Sequence, residues 1–171
     1  MRSMRAGALA RSFRSALFHG ETSPPFLEAG LRDPFAVLSL QDLSGPRVCD
    51  AVGVAIENTV EGCVGETWAA LLAAWQAESA DDPELQSTMQ ALAEEEARNA
   101  RQAWRVAAWL DGMLDEADRA RVRRARDVAV RELWREVAEG GVYEEGDALL
   151  GLPSTAQARA LLRELRTSLW T

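Results

Sequence analysis

Two polar residues, Glu96 and Asn99, interrupt an otherwise apolar helical pattern. Asp82 and Pro83 suit the N-cap and first position of a helix, and one series then steps by three and four residues. Its members are Leu85, Met89, Leu92, Glu96, Asn99, Ala103, Val106, Leu110 and Met113. This spacing places them on one face of a helix about 45 Å long. A carboxylate and an amide on a buried face need partners, so Glu96 and Asn99 are the first candidates for chemistry.

A second helical pattern, upstream of the first, also carries carboxylates on a mostly apolar face. Ser44-Gly45-Pro46 can start a helix that runs to about Ser79. One seam of this helix contains Val54, Glu57, Glu61, Val64, Trp68, Leu71 and Trp75, and a face of mostly small residues contains Ala55, Thr59, Gly62, Glu66, Ala69 and Ala73. Each glycine lowers the intrinsic stability of a helix by about 1 kcal/mol. The glycines at 53, 62 and 65 therefore indicate close helix contact or room for a ligand.

The short connection Ala80-Asp81-Asp82 makes the two long helices antiparallel neighbours. Glu66 matches Glu96 better in height along the hairpin, whereas Glu61 matches it better by face. We favour Glu61 as the partner of Glu96, with Glu57 and Glu66 as second choices.

The residues around these carboxylates are similar to a known pattern. The segment Glu61-Gly62-Cys63-Val64-Gly65-Glu66-Thr67 resembles a motif of a bacterial ferritin-like family, and residues 94–106 look like the last metal-binding helix of a ferritin-like domain. The resemblance covers about residues 46 to 113 and has Asn99 where the family's Glu-x-x-His pattern has histidine. It implies a ferritin-like bundle with a di-iron carboxylate site, whose ligands on this chain would be Glu61, Glu96 and Asn99.

The asparagine changes the chemistry that this resemblance implies. A neutral amide oxygen is a poorer iron ligand than imidazole, and an all-oxygen site favours harder ions such as manganese, magnesium or calcium. The upstream half of the family pattern is not recognisable in residues 1–45. Either a homodimer pairs two hairpins around a two-fold axis, or the later helices complete the core and the site is a relic. In the second case Glu96 and Asn99 form a buried polar pair, hydrogen-bonded to tryptophan indoles, Thr67, Arg98 or Arg105.

The remaining segments complete an all-α architecture. Residues 8–18 can form a short amphipathic helix, Asp115 can cap a third long helix to about Glu139, and Ser154 to Gln157 form a capping box for a final helix to about Trp170. The final helix has an apolar stripe of Leu161, Leu162, Leu165 and Leu169. We divide the chain into an N-terminal arm (1–45), a ferritin-like helical core (46–138) and a loop with a C-terminal capping helix (139–171).

Charge and composition exclude several classes of protein. The net charge of −8 disfavours nucleic-acid binding. The arginines between 119 and 126 are flanked by Asp115, Glu116, Asp118 and Asp127, which is typical of a solvated helix face with ion pairs. No apolar run is long enough to cross a membrane, and arginines interrupt the apolar N-terminus, which argues against a secretory signal. Cys49 and Cys63 would lie about 21 Å apart on one helix, so we expect reduced thiols and a cytoplasmic location.

Two functions remain after these exclusions. The first is a diverged ferritin-like protein with a weakened or lost carboxylate site, which binds iron, manganese or no metal and has at most a residual oxidoreductase role. The second is a non-catalytic helical assembly module that dimerises through the small-residue face. We expect a homodimer in either case. The chain contains no Ser-His-Asp, Cys-His, phosphate-loop or zinc motif, and its single histidine, His19, is best interpreted as a surface or loop residue.

Overall fold

A computed structural model describes residues 2–18, 50–139 and 150–170, and these residues form a bundle of helices without strands. The prediction of an all-α helical bundle is therefore confirmed. A continuous helix over 51–79 changes its hydrogen-bonding pattern midway and is described in three parts. The elements in chain order are α1 (Arg2–Phe18), α2 (Ala51–Glu57), the π-helix (Asn58–Glu66), α3 (Thr67–Ser79), α4 (Pro83–Asp111), α5 (Glu116–Glu139) and α6 (Thr155–Ser168).

Side-chain caps start four of these helices. The Asp82 carboxylate accepts a hydrogen bond from the Glu84 backbone amide at 2.9 Å, with Pro83 in the first turn of α4. Asp115 caps α5, and Ser154 with Gln157 forms the predicted capping box of α6. The long upstream helix begins at Ala51, because Asp50 caps it by accepting from the Gly53 amide at 2.7 Å. This start is later than the predicted one at Pro46.

The main hydrophobic core joins both ends of the chain to the hairpin. Leu71 of α3 is fully buried, as are Leu161 and Leu165 of α6, and α1 packs mainly against α6. The buried members of this cluster are Ala10, Phe13, Leu17, Val64, Trp68, Ala70, Leu71, Trp75, Ala100, Val137, Ala158, Leu161, Leu162, Leu165 and Trp170. The core thus extends beyond the predicted 46–138, since α1 and α6 both contribute to it.

A smaller cluster holds the other end of the hairpin. Val52 and Ala55 of α2 are buried with Leu110 and Leu114, and Val122 of α5 packs against them.

At the turn end of the hairpin, Gly151 has a φ of 72°, and a Cβ there would collide with the backbone of Ala80. A glycine is therefore needed where the segment before α6 crosses the end of α3.

The buried face of α4 matches the predicted seam only in part, at Ala103 and Leu110. Ala93, Ala100, Ala103 and Leu110 are its buried residues, whereas Leu92 and Met113 of the predicted seam are exposed. The prediction followed the large apolar residues, but α4 approaches its neighbours through alanines, which allow closer packing. Glu96 is half-buried and Asn99 is exposed, so neither lies in the middle of a buried stripe.

Three further predictions concern the arginines of α5, membrane-spanning helices, and the residues His19 and Cys49. Arg119, Arg121 and Arg123 form ion pairs with acidic neighbours on and next to α5, as predicted for a solvated face. None of the described helices is long and apolar enough to cross a membrane. His19 and Cys49 lie outside the described residues.

Candidate functional site

The nine-residue π-helix changes which glutamates share a face. It spans Asn58–Glu66 and therefore contains most of the segment 61–67, which resembles a ferritin-like motif. In an α-helix, Glu61 and Glu66 would point about 140° apart. The wider turn of a π-helix, with its i→i+5 hydrogen bonds, brings residues five positions apart close to one side. Helices of this kind are rare and occur often at functional sites.

Tight packing holds the π-helix against α4. A Cβ added to Gly62 would collide with the Cβ of Ala103. Next to this contact, Asn58 Nδ2 donates to the Ala103 carbonyl oxygen at 3.0 Å. The glycine at 62 therefore serves close helix contact, one of the two roles that the sequence indicated. The face of mostly small residues on the 51–79 helix is largely occupied within the chain, since Ala55, Thr59 and Ala73 are also buried.

The carboxyl groups of Glu66 and Glu96 meet across the hairpin. The pKa of Glu66 is raised from 4.5 to about 7, first by a hydrogen bond with Glu96, then by desolvation and by the negative charges of Glu96 and Glu61. Two carboxylates this close cannot both ionise easily, so the pair retains one shared proton near neutral pH. The structure thus pairs Glu96 with Glu66, the alternative that matched it in height, and not with the favoured Glu61.

The other predicted ligands lie around this pair. Asn99 Nδ2 donates to Glu96 Oε2 over a long 3.4 Å. Glu61 is exposed and also lines a groove of about 600 Å³ between the π-helix and α5, together with Glu132, Leu133 and Glu136. Glu57 is exposed. The structure therefore brings Glu66, Glu96 and Asn99 together, with Glu61 near enough to repel Glu66.

Two tryptophan indoles connect the helices beside the carboxyl pair by hydrogen bonds. Trp104 Nε1 of α4 donates to Thr67 Oγ1 at 3.2 Å, and Trp170 Nε1 donates to the Cys63 carbonyl oxygen inside the π-helix, also at 3.2 Å. Trp104 and Thr67, two of the partners expected for Glu96 and Asn99, are thus hydrogen-bonded to each other. Burial raises the pKa of the Cys63 thiol to about 12, which makes it unreactive.

The donor groups that the structure describes do not form a complete di-iron centre by themselves. In the described parts of the chain, no three His, Cys, Asp or Glu side chains converge as metal ligands would. Comparison with known proteins adds nothing to this assignment. No protein-family model, curated protein or solved structure matches this chain. The ferritin-like resemblance therefore rests on the motif residues alone.

The π-helix, which places Glu66 on the side of Glu96, was not predicted from the sequence. The helical pattern treated residues 46–79 as one regular α-helix, and on such a helix Glu66 points away from the face that carries Glu61. The glycines at 62 and 65 were the available signal, because they weaken the regular helix where the π-helix forms.

Proposed function

We propose that this protein is a diverged ferritin-like helical protein whose Glu66–Glu96 pair is the remnant of a carboxylate metal site and binds one divalent ion weakly. The observation that supports this proposal is the meeting of two carboxyl groups from antiparallel helices, next to the motif that resembles the ferritin-like family. A divalent cation would replace the shared proton and relieve the repulsion between the two carboxylates.

The donor chemistry suggests which ion binds. Glu66, Glu96 and the Asn99 side-chain oxygen offer oxygen ligands only, and these suit Mn²⁺ or Mg²⁺ better than they suit an iron centre with histidine ligands. Water or a second copy of the chain would supply the remaining ligands. Because the ion competes with a proton, its affinity should increase as the pH rises through about 7. Oxidation of Fe²⁺ would be a residual activity of the same site.

A second candidate, the helical assembly module without chemistry, is favoured by a different observation. Leu92 and Trp109 of α4, and Met113 just past its end, expose 38%, 49% and 46% of their surface. Apolar side chains that collect on one helix are typical of an interaction surface. In this hypothesis the carboxyl pair is only a polar contact between α4 and the end of the π-helix.

Metal titration separates the two candidates. We would titrate Mn²⁺ into the metal-free protein at pH 6 and pH 8 and follow free Mn²⁺ by electron paramagnetic resonance. Glu96→Gln and Glu66→Gln should each weaken binding at least tenfold, and wild-type affinity should be higher at pH 8. Glu95→Gln is the matched control, since it removes the same charge from an exposed neighbour on α4.

The result that contradicts metal binding is equally clear. If the wild-type protein shows no saturable Mn²⁺ or Fe²⁺ binding at pH 8, or if Glu96→Gln binds as tightly as Glu95→Gln, the carboxyl pair is structural. The assembly hypothesis would then be the one to pursue.

A further inference from the structure

The π-helix ends in a backbone arrangement that a regular α-helix does not have. In an α-helix the Thr67 amide would donate to the Cys63 carbonyl oxygen, four residues before it. Here the Thr67 amide donates to the Val64 carbonyl oxygen instead. The Cys63 carbonyl oxygen accepts a hydrogen bond from a distant part of the chain, because Trp170 Nε1 donates to it at 3.2 Å. The indole thus supplies a donor to a carbonyl group that lacks its α-helical one.

Trp170 is held in place for this bond by the main hydrophobic core. Its side chain is 4% exposed and belongs to the core cluster. Its backbone amide donates to the carbonyl oxygen of the fully buried Leu165 at 3.3 Å, just past the end of α6 at Ser168. A buried carbonyl group that loses a donor needs another one. Without the indole N–H, the nearest replacement for Cys63 is the Thr67 amide, and this exchange would restore α-helical hydrogen bonding.

The direction of the Glu66 side chain depends on this part of the backbone. Glu66 lies between Cys63 and Thr67 and is the last residue of the π-helix. A π-helix has a wider turn than an α-helix, so a change from one to the other rotates Glu66 about the helix axis relative to Glu61. The carboxyl group of Glu66 meets that of Glu96 in the π-helical arrangement. A contact that stabilises this arrangement therefore also favours the meeting of the two carboxyl groups.

We propose that Trp170 is a positioning residue for the Glu66–Glu96 pair, because its indole N–H stabilises the π-helical hydrogen bonding that directs Glu66 towards Glu96. Trp170 acts through the Cys63 carbonyl group and the backbone that follows it. The consequence for metal binding rests on the proposed function, whereas the effect on the backbone does not.

Trp104 provides a matched control for Trp170. Its Nε1 also donates at 3.2 Å, but to the side-chain oxygen of Thr67. Loss of this donor leaves the backbone carbonyl groups of the π-helix with their partners. Benzothienylalanine, which has sulfur in place of the indole N–H, removes the donor at either position and keeps the shape of the side chain. Trp170→Phe and Trp104→Phe are the encoded counterparts, and circular dichroism with thermal unfolding checks that each variant folds.

The first test follows the backbone and does not depend on metal. Scalar couplings across hydrogen bonds, measured by NMR on deuterated protein in EDTA, identify the carbonyl group to which each amide donates. In the Trp170 variants a coupling should appear between the Thr67 amide and the Cys63 carbonyl group, whereas the wild-type chain and the Trp104 variants should lack it. If the Trp170 variants also lack it while the couplings within α3 are visible, the packing at Gly62 fixes the π-helix and the proposal is overturned.

The second test follows the carboxyl pair by titration of Mn²⁺ at pH 8. The Trp170 variants should bind Mn²⁺ about tenfold more weakly than the wild-type chain, a loss typical of removing a partner that orients a metal ligand. The Trp104 variants should bind as the wild-type chain does. Equal losses in both sets of variants would overturn the positioning role, because they would follow from general destabilisation. A wild-type chain that binds no Mn²⁺ would refute the proposed function alone, and the NMR couplings would still decide whether Trp170 holds the π-helix.

Discussion

The two helices of the central hairpin have the same length, 29 residues, but very different surroundings. The helix over 51–79 buries large side chains such as Trp68, Leu71 and Trp75, which contact neighbours on several sides. The buried residues of α4 are three alanines and Leu110. The 51–79 helix therefore contributes more to the hydrophobic core than α4 does. By contrast, α4 keeps charged and apolar side chains accessible on its outer side.

This difference explains where the polar pair lies. Glu66 is half-buried at the edge of the first helix, and Glu96 is half-buried on the more exposed second helix. Carboxylates at such an edge keep partial access to water and avoid the full cost of burial. An edge site is also open to ions and to a second chain, which a site inside the main core would not be.

The largest contrast should come from truncating a leucine on each helix. Leu71→Ala should lower the free energy of unfolding by about 2–5 kcal/mol, because it leaves a cavity in the main core. Leu92→Ala, on α4, should cost less than about 0.5 kcal/mol when measured on the monomer at low protein concentration. Urea denaturation followed by circular dichroism measures both. Similar losses would contradict the unequal roles of the two helices.

Substitution at the close contact between the two helices should have the next largest effect on the free energy of unfolding. Gly62→Ala should lower the free energy of unfolding by about 1–3 kcal/mol, because the new Cβ collides with Ala103 and the helices must separate. Gly65→Ala is the matched control. Its Cβ would meet only the Val60 carbonyl oxygen at 3.6 Å, so it should be neutral or stabilise by up to about 1 kcal/mol. If both substitutions stabilise the protein, the close contact at Gly62 is contradicted.

Substitution within the carboxyl pair should have the smallest effect on the free energy of unfolding, and this effect should depend on pH. The pKa of Glu66 is raised from 4.5 to about 7, so the folded chain holds a proton that the unfolded chain releases between these values. Its contribution to stability is complete below pH 4.5 and is lost as the pH rises through 7. Glu66→Gln stays neutral and should remove this dependence, with a gain at pH 8 of no more than about 1 kcal/mol because solvent screens a half-buried group.

Thermal unfolding from pH 4 to pH 8 in EDTA measures this effect. Glu95→Gln should retain the wild-type pH profile, since Glu95 is exposed and is not a cause of the shift at Glu66. A Glu66→Gln profile that falls as steeply as the wild-type profile would mean that the two carboxyl groups do not share a proton.

The sequence by itself determined the helices and many of their ends, because these depend on local chemistry. Asp82 with Pro83, Asp115, and Ser154 with Gln157 satisfy backbone amides within a few residues, and each cap was predicted from its spacing. The hairpin turn was predicted on the same basis. Of the candidate site residues, Glu96 and Asn99 were placed one turn apart on one helix face, and the structure adds a hydrogen bond between them that was not predicted.

Only the tertiary structure decided which faces are buried and which glutamate meets Glu96. The distance between two helices depends on the smallest side chains between them, and the Gly62–Ala103 contact outweighs the larger residues that a periodic pattern emphasises. The π-helix changes the angular positions of Glu61 and Glu66, and its stability depends on packing against α4 and α5. Local spacing could not reveal the pairing of Glu66 with Glu96, because it depends on contacts between segments distant in sequence.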